Sequence, residues 1–467
     1  MGSEQSLKMT FKDGTLLLEA PAATPLPLAE WGVFDERVGQ WRAEARQYAA
    51  VVMYLHRRGI AYDDRARAYE VLPLEWRGGG KQPREYQEEA LASWWGQGGR
   101  GLVVLPTGTG KSYVAQLAMA RVRRSTLVVA PTIDLMEQWA RQLEAAFGIR
   151  VGLLGGGSRE VLPVTVSTYD SAAMMMDFIG NRFGLLVVDE CHHLPGPAYQ
   201  QLARFAIAPY RLGLSATPER PDGGDAVLDE LLGPVCFRRD IDEMEGSVLA
   251  AYRTERICLE LDEDEMRDYE ANRSVYINFL HANRINLSAP RGWNQFLLAC
   301  SRLANGREAL RAYLTQRRIA QASRAKLRQV WDLLCRHSRE RVLCFTADNR
   351  TAYDLGQRFF LPVITHHTKI TERRVLLDGF RSGTLPFLVT SRVLNEGVDV
   401  PEASVGIVVS GSGSIREHVQ RLGRILRPAA GKQAVLYELI SYGTAEWNVS
   451  DRRRQHRAYE RPDSLPE

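Results

Sequence analysis

GLVVLPTGTGKS, at residues 101–112, joins a short apolar run to a turn rich in Gly and Thr. The run predicts a buried strand, and Lys111 and Ser112 begin a helical pattern. This order is typical of a phosphate-binding loop, because main-chain N–H groups at a helix N-terminus face a phosphate and a lysine adds positive charge. Leu105 stands where the first glycine of the GxxxxGK[ST] pattern is expected. The fit is therefore incomplete, and the other parts of a nucleotide hydrolase must come from elsewhere in the chain.

The composition predicts a soluble globular protein with more than one domain. The 467 residues are 45% hydrophobic and 25% charged, with a formal net charge of +4. No apolar run reaches the ~18 residues that a membrane helix needs, so no membrane partner is expected. The six cysteines form no CxxC pair, which disfavours a disulfide framework or a zinc site and favours a reducing cytoplasm. Only seven of the 60 Lys and Arg residues are lysines, and such arginine-rich chains suit phosphate-bearing partners.

Strand and helix patterns alternate in two stretches of the chain, which predicts two parallel sheets covered by helices. The expected strands are 101–105, 126–130, 164–167, 185–188 and 212–215 in the first stretch, and 342–345, 387–390, 405–409 and 434–439 in the second. Before them, a hairpin around Lys12-Asp13-Gly14 and a helix over residues 38–58 predict a small α+β module.

Residues 262–328 separate the two lobes and contain no predicted strand. An acidic start is followed by Arg302, Arg307, Arg311, Arg317, Arg318, Arg324, Lys326 and Arg328. Two interpretations stay open, a solvated helical insertion and a basic helical projection that grips a phosphate backbone.

The predicted fold class is α/β, with two parallel-sheet lobes, a small α+β N-terminal domain and a helical insertion. The four predicted parts are residues 1–77 for the N-terminal domain, 78–245 for the first lobe, 246–330 for the linker and helical segment, and 331–467 for the second lobe with a basic tail.

Two carboxylates, Asp189 and Glu190, end the apolar strand that begins at Leu185. Nucleotide hydrolysis needs such a pair, because one carboxylate holds Mg²⁺ beside the loop hydroxyl and the other orients and deprotonates water. The next residues, Cys191-His192-His193, are poor zinc ligands without a distant partner pair, so coupling or structural roles are expected. Ser215 and Thr217 supply hydroxyls at the end of the next strand, where they are placed to hydrogen-bond the acids.

Arg424 and Arg427 lie three residues apart in the stretch QRLGRILR, which starts at Gln420. On a helix they share one face, and two guanidinium groups there can close on a γ-phosphate held by the other lobe. The alternative is a solvated basic helix.

Taken in order, these stretches resemble the motif set of superfamily 2 helicases. The motifs are PTGTGKS (106–112), APT (130–132), STYDSA (167–172), DECHH (189–193), LSATP (214–218), VLCFT (342–346), VTSRVLNEGVDVP (389–401) and QRLGRILRP (420–428). The finer resemblance is to XPB-type DNA helicases of the short archaeal-like form, through phrases such as GNRFGLLVVDECHHLP and GSGSIREHVQRLGRILRP.

This resemblance implies a damage-recognition-like N-terminal domain, two RecA-like lobes and a helical thumb. It also implies ATP-driven 3′→5′ movement on single-stranded or forked duplex DNA, with Mg²⁺, in nucleotide excision repair and in some members with a nuclease partner. The expected compartment is the cytoplasm, at the nucleoid.

The resemblance assigns roles to individual residues. Gln87, with Arg84 nearby, would recognise the base. Thr107, Gly108, Thr109, Gly110 and Lys111 would hold phosphates, Ser112 and Asp189 would hold Mg²⁺, and Glu190 would activate water. Gly397 and Asp399 would lie beside the nucleotide, and Gln420, Arg424 and Arg427 would act on it from the second lobe. DNA phosphates would be contacted by Thr132, Thr168, Thr346, Thr390, Arg311, Arg317 and Arg318.

The chain departs from the family at Arg220-Pro221-Asp222, where XPB proteins have Arg-Glu-Asp. The missing glutamate and a proline with fixed φ question the DNA-opening role of that element. The predicted activity is an ATP-dependent 3′–5′ DNA helicase or translocase. Two alternatives remain: an RNA helicase, and a nucleotide-gated binder of damaged DNA that scaffolds a nuclease.

Overall fold

The computed structural model of the chain describes residues 6–20, 26–77, 82–219, 223–244, 251–289, 291–391, 403–411 and 433–447. They form two compact units, one up to residue 240 and the other from residue 241. No helix in these ranges has the length and apolar character of a membrane span.

The N-terminal part of the first unit is a five-stranded sheet with a short helix packed on it. Its strands are β1 (Leu7–Lys12), β2 (Thr15–Glu19), β3 (Gly32–Asp35), β4 (Gln40–Glu44) and β5 (Tyr62–Arg65), in the order β3-β4-β2-β1-β5, and its helices are α1 (Leu28–Trp31) and α2 (Tyr48–Arg57). The predicted hairpin is β1 and β2, joined at Asp13 and Gly14 in left-handed backbone conformations.

The helix predicted over residues 38–58 is wrong in its first half. It begins only at Tyr48, and β4 occupies residues 40–44 between β2 and β3. Trp41 and Ala43 fit a two-residue strand period as well as Trp41, Ala45 and Tyr48 fit a helical one. Hydrogen bonding to strands on both sides then outweighs local helix propensity.

The rest of the first unit is an eight-stranded sheet. Its strands are β6 (Arg100–Val104), β7 (Thr126–Ala130), β8 (Gly152–Gly155), β9 (Ser158–Arg159), β10 (Val164–Thr168), β11 (Leu185–Asp189), β12 (Tyr210–Ser215) and β13 (Val235–Arg238), in the order β13-β6-β12-β11-β7-β10-β8-β9. Its helices are α3 (Glu85–Gly96), α4 (Lys111–Val122), α5 (Ile133–Phe147), α6 (Tyr169–Ile179), α7 (Gln200–Arg204) and α8 (Asp225–Leu231).

All neighbours in this sheet are parallel except β8 and β9. Every residue of β7, β10 and β11 is buried, as expected of strands covered on both faces. The parallel direction brings the carboxyl ends of β6, β12, β11, β7 and β10 to one edge, where ligands bind in open α/β sheets.

The second unit contains a six-stranded parallel sheet and seven helices among its described residues, and three of these helices pack together as a separate group. Its helices are α9 (Ile241–Met244), α10 (Glu263–Ala282), α11 (Gly292–Arg302), α12 (Gly306–Gln321), α13 (Arg324–Arg336), α14 (Asn349–Phe359) and α15 (Ile370–Ser382). Its strands are β14 (Ala251–Leu259), β15 (Val342–Phe345), β16 (Val363–Ile364), β17 (Phe387–Thr390), β18 (Val405–Val408) and β19 (Gln433–Ser441), in the order β14-β19-β18-β15-β17-β16.

The predicted helical segment is α10, α11 and α12, which pack around Tyr276, Phe279 and Phe296. Its acidic start has a local function, because Asp262 caps α10 by accepting a hydrogen bond from the Glu265 N–H at 2.9 Å. β14, which the sequence places in the linker, pairs with β19 along its whole length and belongs to the second sheet. The predicted α/β class with two parallel sheets is confirmed, and the exact domain limits stay a prediction.

Candidate functional site

The loop between β6 and α4 has the geometry of a phosphate-binding loop. Gly108 and Gly110 both have φ +88°, a left-handed conformation that a glycine adopts without strain. The Thr109 hydroxyl donates to the Pro106 carbonyl at 2.8 Å, and Lys111 Nζ donates to the Leu105 carbonyl at 3.2 Å. Gly110 immediately precedes α4, so the free N–H groups of that helix begin at the loop.

Gln87 connects α3 to this loop. Its Oε1 accepts from the Arg84 N–H at 3.0 Å, and its Nε2 donates to the Thr109 carbonyl at 3.1 Å. A Cβ added at Gly110 would lie 2.6 Å from Gln87 Nε2, so a side chain there would displace this amide, and φ +88° also disfavours any residue but glycine. The predicted base-recognition residue thus also holds the loop in place.

A cavity of about 460 Å³ lies beside the loop and is lined by Gln82, Arg84, Gln87, Gly108, Thr109, Gly110, Ser112, Tyr113, Gln116, Gln142, Ala145 and Ala146. Four glutamines and Tyr113 line it together with the loop residues. This mixture suits a flat heterocycle with hydrogen-bonding edges attached to phosphates. Gln142 lies on α5, which only the fold brings to the loop, whereas Tyr113 and Gln116 follow the loop on α4 without any motif that marks them.

The two carboxylates sit at the end of β11, two strands from β6. Asp189 Oδ2 accepts from Trp139 Nε1 at 2.8 Å, and its Oδ1 accepts from the Glu190 N–H at 3.0 Å. Burial raises the pKa of Asp189 to about 6 and the charge of Glu190 adds to this effect, whereas the Trp139 hydrogen bond and the charge of Lys111 lower it. The loop lysine therefore acts electrostatically on the acid that was predicted to bind Mg²⁺.

Glu190 adopts a left-handed backbone conformation, with φ 46° and ψ 51°. This conformation is strained for a residue with a side chain and is common at functional sites. Tyr169 holds it from α6, because the Tyr169 hydroxyl lies 2.8 Å from the Asp189 carbonyl and 3.1 Å from the Glu190 carbonyl. The contact of Tyr169 with both acids was not predicted, since no local pattern links residues 20 positions apart.

His192 connects the acids to the next strand. Its Nδ1 lies 3.4 Å from Glu190 Oε2 and 3.2 Å from the hydroxyl of Ser215, and that hydroxyl also accepts from the Thr217 N–H at 3.2 Å. The Ser215 hydroxyl thus contacts His192, which lies beside Glu190, and a coupling or structural role of this histidine stays a prediction.

The site fits a nucleotide with Mg²⁺. Thr107 Oγ1, Glu190 Oε2 and Thr217 Oγ1 are buried and accept or donate no hydrogen bond within the described residues. They lie on the three segments that end β6, β11 and β12. Oxygen ligands from a carboxylate and a hydroxyl are those that Mg²⁺ prefers, and Asp189 and Ser112 supply both kinds.

The two threonines predicted to contact DNA in the first lobe lie at the carboxyl ends of β7 and β10: Thr132 is two residues beyond β7, and Thr168 is the last residue of β10. Each caps a helix: Thr132 Oγ1 accepts from the Leu135 N–H at the start of α5, and Thr168 Oγ1 accepts from the Ser171 N–H at the start of α6, both at 3.3 Å. They lie on adjacent strands at the same edge of the sheet.

The corresponding threonines of the second unit are less accessible. Thr346 and Thr390 are fully buried, and their hydroxyls donate to the carbonyls of Asp348 and Ser391. Beside them lies a cavity of about 650 Å³, which is lined by the exposed Arg317 and Arg318 of α12, by Asn349 and His366, and by the buried Ser391. Arg317 and Arg318 thus line this cavity, whereas Arg311, also exposed on α12, lies outside the lining, and the DNA contacts of all three stay predictions.

Several predicted positions lie outside the described residues. They are Gly397, Asp399, Gln420, Arg424 and Arg427, together with the departure at Arg220-Pro221-Asp222. Their roles stay predictions.

Three family models match the chain. They are the Xeroderma pigmentosum group B helicase damage recognition domain over residues 9–66, the Type III restriction enzyme, res subunit, over residues 80–220, and the Helicase conserved C-terminal domain over residues 325–429.

Among curated proteins, the DNA 3′-5′ translocase XPB2 of Sulfurisphaera tokodaii is 38% identical over 372 residues, which cover 80% of this chain and 84% of that protein. The DNA 3′-5′ helicase XPB of Mycobacterium tuberculosis is 32% identical over 80% of this chain and 63% of that protein. Among solved structures, the Hef helicase domain of Pyrococcus furiosus aligns with a TM-score of 0.56 and 19% identity, covering 81% of this chain and 100% of that one. That structure supports the fold.

Proposed function

Because the chain belongs to the XPB family of superfamily 2 helicases, we propose that it is an ATP-dependent motor that moves 3′ to 5′ along DNA. The observation that carries this proposal is the single edge of the first parallel sheet. The phosphate-binding loop follows β6, Ser215 and Thr217 lie at the end of β12, and the acidic pair lies at the end of β11. The capping threonines lie at the ends of β7 and β10, so all these groups belong to adjacent strands. The proposed nucleotide chemistry and strand contacts would thus share one edge of one sheet.

The residues of the first lobe divide the work of ATP hydrolysis. Gln87 and the cavity beside it select the base, while Thr107 to Lys111 hold the phosphates through main-chain N–H groups and the lysine ammonium. Asp189 and Ser112 would hold Mg²⁺, which neutralises charge on the phosphate oxygens. Glu190, whose Oε2 accepts no hydrogen bond from the described residues, orients and deprotonates the attacking water.

Arg424 and Arg427, with Gln420, would complete the reaction from the second lobe. An arginine supplied to the γ-phosphate stabilises transition-state charge and is worth roughly 10³–10⁵ in rate in other NTPases. Gly397 and Asp399 would face the nucleotide from the same lobe. Their engagement with ATP, and its release after hydrolysis, would drive the strand past Thr132 and Thr168.

The biological setting that we propose is nucleotide excision repair at the nucleoid, with a nuclease as partner. The match of residues 9–66 to a damage recognition domain supports it. The proposed parts are residues 1–77 for recognition, 78–245 and 331–467 for the two motor lobes, and 246–330 for the linker and thumb.

Replacement of Lys111 tests the motor. Lys111→Ala should lower DNA-stimulated ATP hydrolysis by roughly 10²-fold or more, because it removes the charge on the phosphates. Lys369→Ala is the matched control, since Lys369 is exposed at the start of α15. Undiminished DNA-stimulated turnover in Lys111→Ala would refute the assignment.

Strand displacement on 3′- and 5′-tailed forks tests polarity, and stimulation by single-stranded RNA of equal length tests the RNA alternative. Glu190→Gln separates a motor from a nucleotide-gated scaffold. A motor with this substitution binds ATP, stops hydrolysing it and stays on DNA, whereas a scaffold keeps its repair function in cells.

A further inference from the structure

Two buried aromatic residues contact the acidic pair from the helices whose capping threonines are the proposed DNA contacts. Tyr169 is the first residue of α6, next to Thr168, and is 3% exposed. Trp139 lies in the second turn of α5, which Thr132 caps, and is also 3% exposed. Neither residue has a role in the mechanism above.

The contacts of the two residues are complementary. Trp139 Nε1 donates to the Asp189 carboxylate at 2.8 Å, so it fixes the side chain of one acid. The Tyr169 hydroxyl lies 2.8 Å from the Asp189 carbonyl and 3.1 Å from the Glu190 carbonyl, so it fixes the main chain between the acids. Packing holds the Tyr169 ring edge-on against Tyr199 at 5.2 Å and His193 at 5.8 Å.

We propose that Tyr169 and Trp139 are positioning residues that transmit DNA occupancy at Thr168 and Thr132 to the catalytic acids. This inference rests on the proposed function. A phosphate bound at a helix N-terminus engages the first-turn N–H groups and the capping hydroxyl. Tyr169 belongs to this first turn in α6, so a phosphate bound at Thr168 would act on the turn that contains Tyr169.

The left-handed backbone at Glu190 is the element on which Tyr169 acts. Because this conformation is strained for glutamate, it depends on the groups that hold it. A displacement of the first turn of α6 changes the hydrogen bond at the Glu190 carbonyl, and rotation about that peptide redirects the carboxylate. In α6 the proposed strand contact, Thr168, is the immediate neighbour of Tyr169, which contacts the acids. Trp139 provides a second connection, from Thr132 through α5 to Asp189.

Tyr169→Phe tests the proposal because it removes the hydroxyl and keeps the ring. We expect the ratio of DNA-stimulated to basal kcat to fall about tenfold, while the KM for ATP and the Kd for a single-stranded oligonucleotide change less than about twofold. Tyr199→Phe is the matched control, since its hydroxyl donates to the exposed Asp170 side chain and touches neither acid. It should keep the wild-type ratio of stimulated to basal rate.

Trp139→Phe is the second variant, and it should lower the same ratio. Trp94→Phe is its control, because Trp94 is equally buried and donates its indole N–H to the Arg211 carbonyl, away from the acids. A purely structural role predicts equal losses of basal and stimulated rate together with a lower thermal midpoint in both tryptophan variants.

Coupling between two binding sites is reciprocal, so Tyr169→Phe should also reduce the effect of a non-hydrolysable ATP analogue on DNA affinity. An unchanged stimulation ratio in Tyr169→Phe, in a wild-type protein that DNA does stimulate, overturns the inference alone. Absence of DNA stimulation in the wild-type protein instead overturns the proposed function.

Discussion

Arg211 is a fully buried arginine in the middle of the first unit, on β12. Its guanidinium donates to the carbonyls of Ala203, Ala206, Ala208 and Leu231 at 2.7–3.1 Å. Burial, followed by the charges of neighbouring arginines, lowers the pKa of Arg211 well below its ordinary value. Such a cation is tolerated because four main-chain acceptors at the ends of α7 and α8 surround it. Arg211 therefore ties those segments to the strand that leads to Ser215.

Arg211→Met should destabilise the first unit by about 3 kcal/mol or more, because it leaves four buried carbonyls without their donor. The midpoint of urea unfolding, followed by tryptophan fluorescence, measures the effect. Arg141→Met is the control, since Arg141 is an exposed α5 residue in a 3.6 Å ion pair with Glu137. Exposed pairs of this kind contribute about 1 kcal/mol at most. Equal midpoints for the two variants would contradict this role of Arg211.

At the scale of secondary-structure elements, the N-terminal sheet is docked on α6, α7 and α8. Arg204 of α7 donates to Glu44 of β4 at 3.0 Å and to Glu230 of α8 at 3.1 Å. The Gly14 N–H donates to the Asp177 carbonyl at 3.0 Å, and a Cβ at Gly14 would lie 2.5 Å from the Phe205 ring. Ile207 completes the N-terminal core. The N-terminal sheet and the first lobe thus share one packed unit.

The Glu44 carboxylate makes this docking sensitive to acid. Burial raises its pKa, but the hydrogen bonds and charges of Arg46 and Arg204 outweigh burial and lower the pKa below 4.5. A lowered folded pKa adds stability above the unfolded value, and this stability is lost as pH falls through the folded pKa. The stabilising effect is screened because the side chain is 42% exposed, so we expect less than about 1 kcal/mol.

Glu44→Gln should therefore have a lower thermal midpoint than the wild type at about pH 7, and the difference should shrink below about pH 4. Glu137→Gln, on the exposed face of α5, is the control and should show a smaller difference at both pH values. A difference for Glu44→Gln that grows in acid would rule out this assignment of the carboxylate.

The elements show what local pattern can and cannot predict. All nine strands expected in the two lobes occur, because long apolar runs bounded by turns are unambiguous when both faces are buried. Strands such as β8 and β16 are too short or too rich in glycine to stand out. The local pattern predicts helix at β4, and this prediction is wrong because pairing with β2 and β3 decides the conformation of these residues.

The same limit applies to the site. The loop and the acidic pair could be predicted because each is a contiguous stretch at the end of a strand. Trp139 and Tyr169 could not, since their contacts with the acids depend on how α5 and α6 pack. The sequence predicts DNA phosphate contacts for Thr346 and Thr390, whereas both side chains are buried and their hydroxyls donate to main-chain carbonyls.

At the scale of the whole molecule, the proposed motor needs groups that hold a DNA strand. In the second unit the basic groups next to the sheet edge come from α12. Arg317 and Arg318 are exposed there and line the 650 Å³ cavity together with Asn349 and His366. An arginine guanidinium can donate two parallel hydrogen bonds to one phosphate, and each phosphate that is neutralised releases counterions from the nucleic acid. If a strand binds at this cavity, the salt dependence of its binding constant should therefore reflect the number of these arginines that contact phosphates.

The double variant Arg317→Ala/Arg318→Ala tests this contact. We expect the slope of log K against log salt for a single-stranded oligonucleotide to become shallower by about 1.4, since each lost phosphate contact removes about 0.7. The loss of affinity should be the same for oligonucleotides of different sequence, because phosphate contacts carry no base information.

The charge-matched control is Arg336→Ala/Arg339→Ala, two exposed arginines at and beyond the end of α13. Fluorescence anisotropy at about 50–200 mM salt measures both variants. In ATP hydrolysis the first variant should raise the DNA concentration needed for half-maximal stimulation and leave the maximal rate unchanged. Equal slopes for the two double variants would place the strand elsewhere on the second unit.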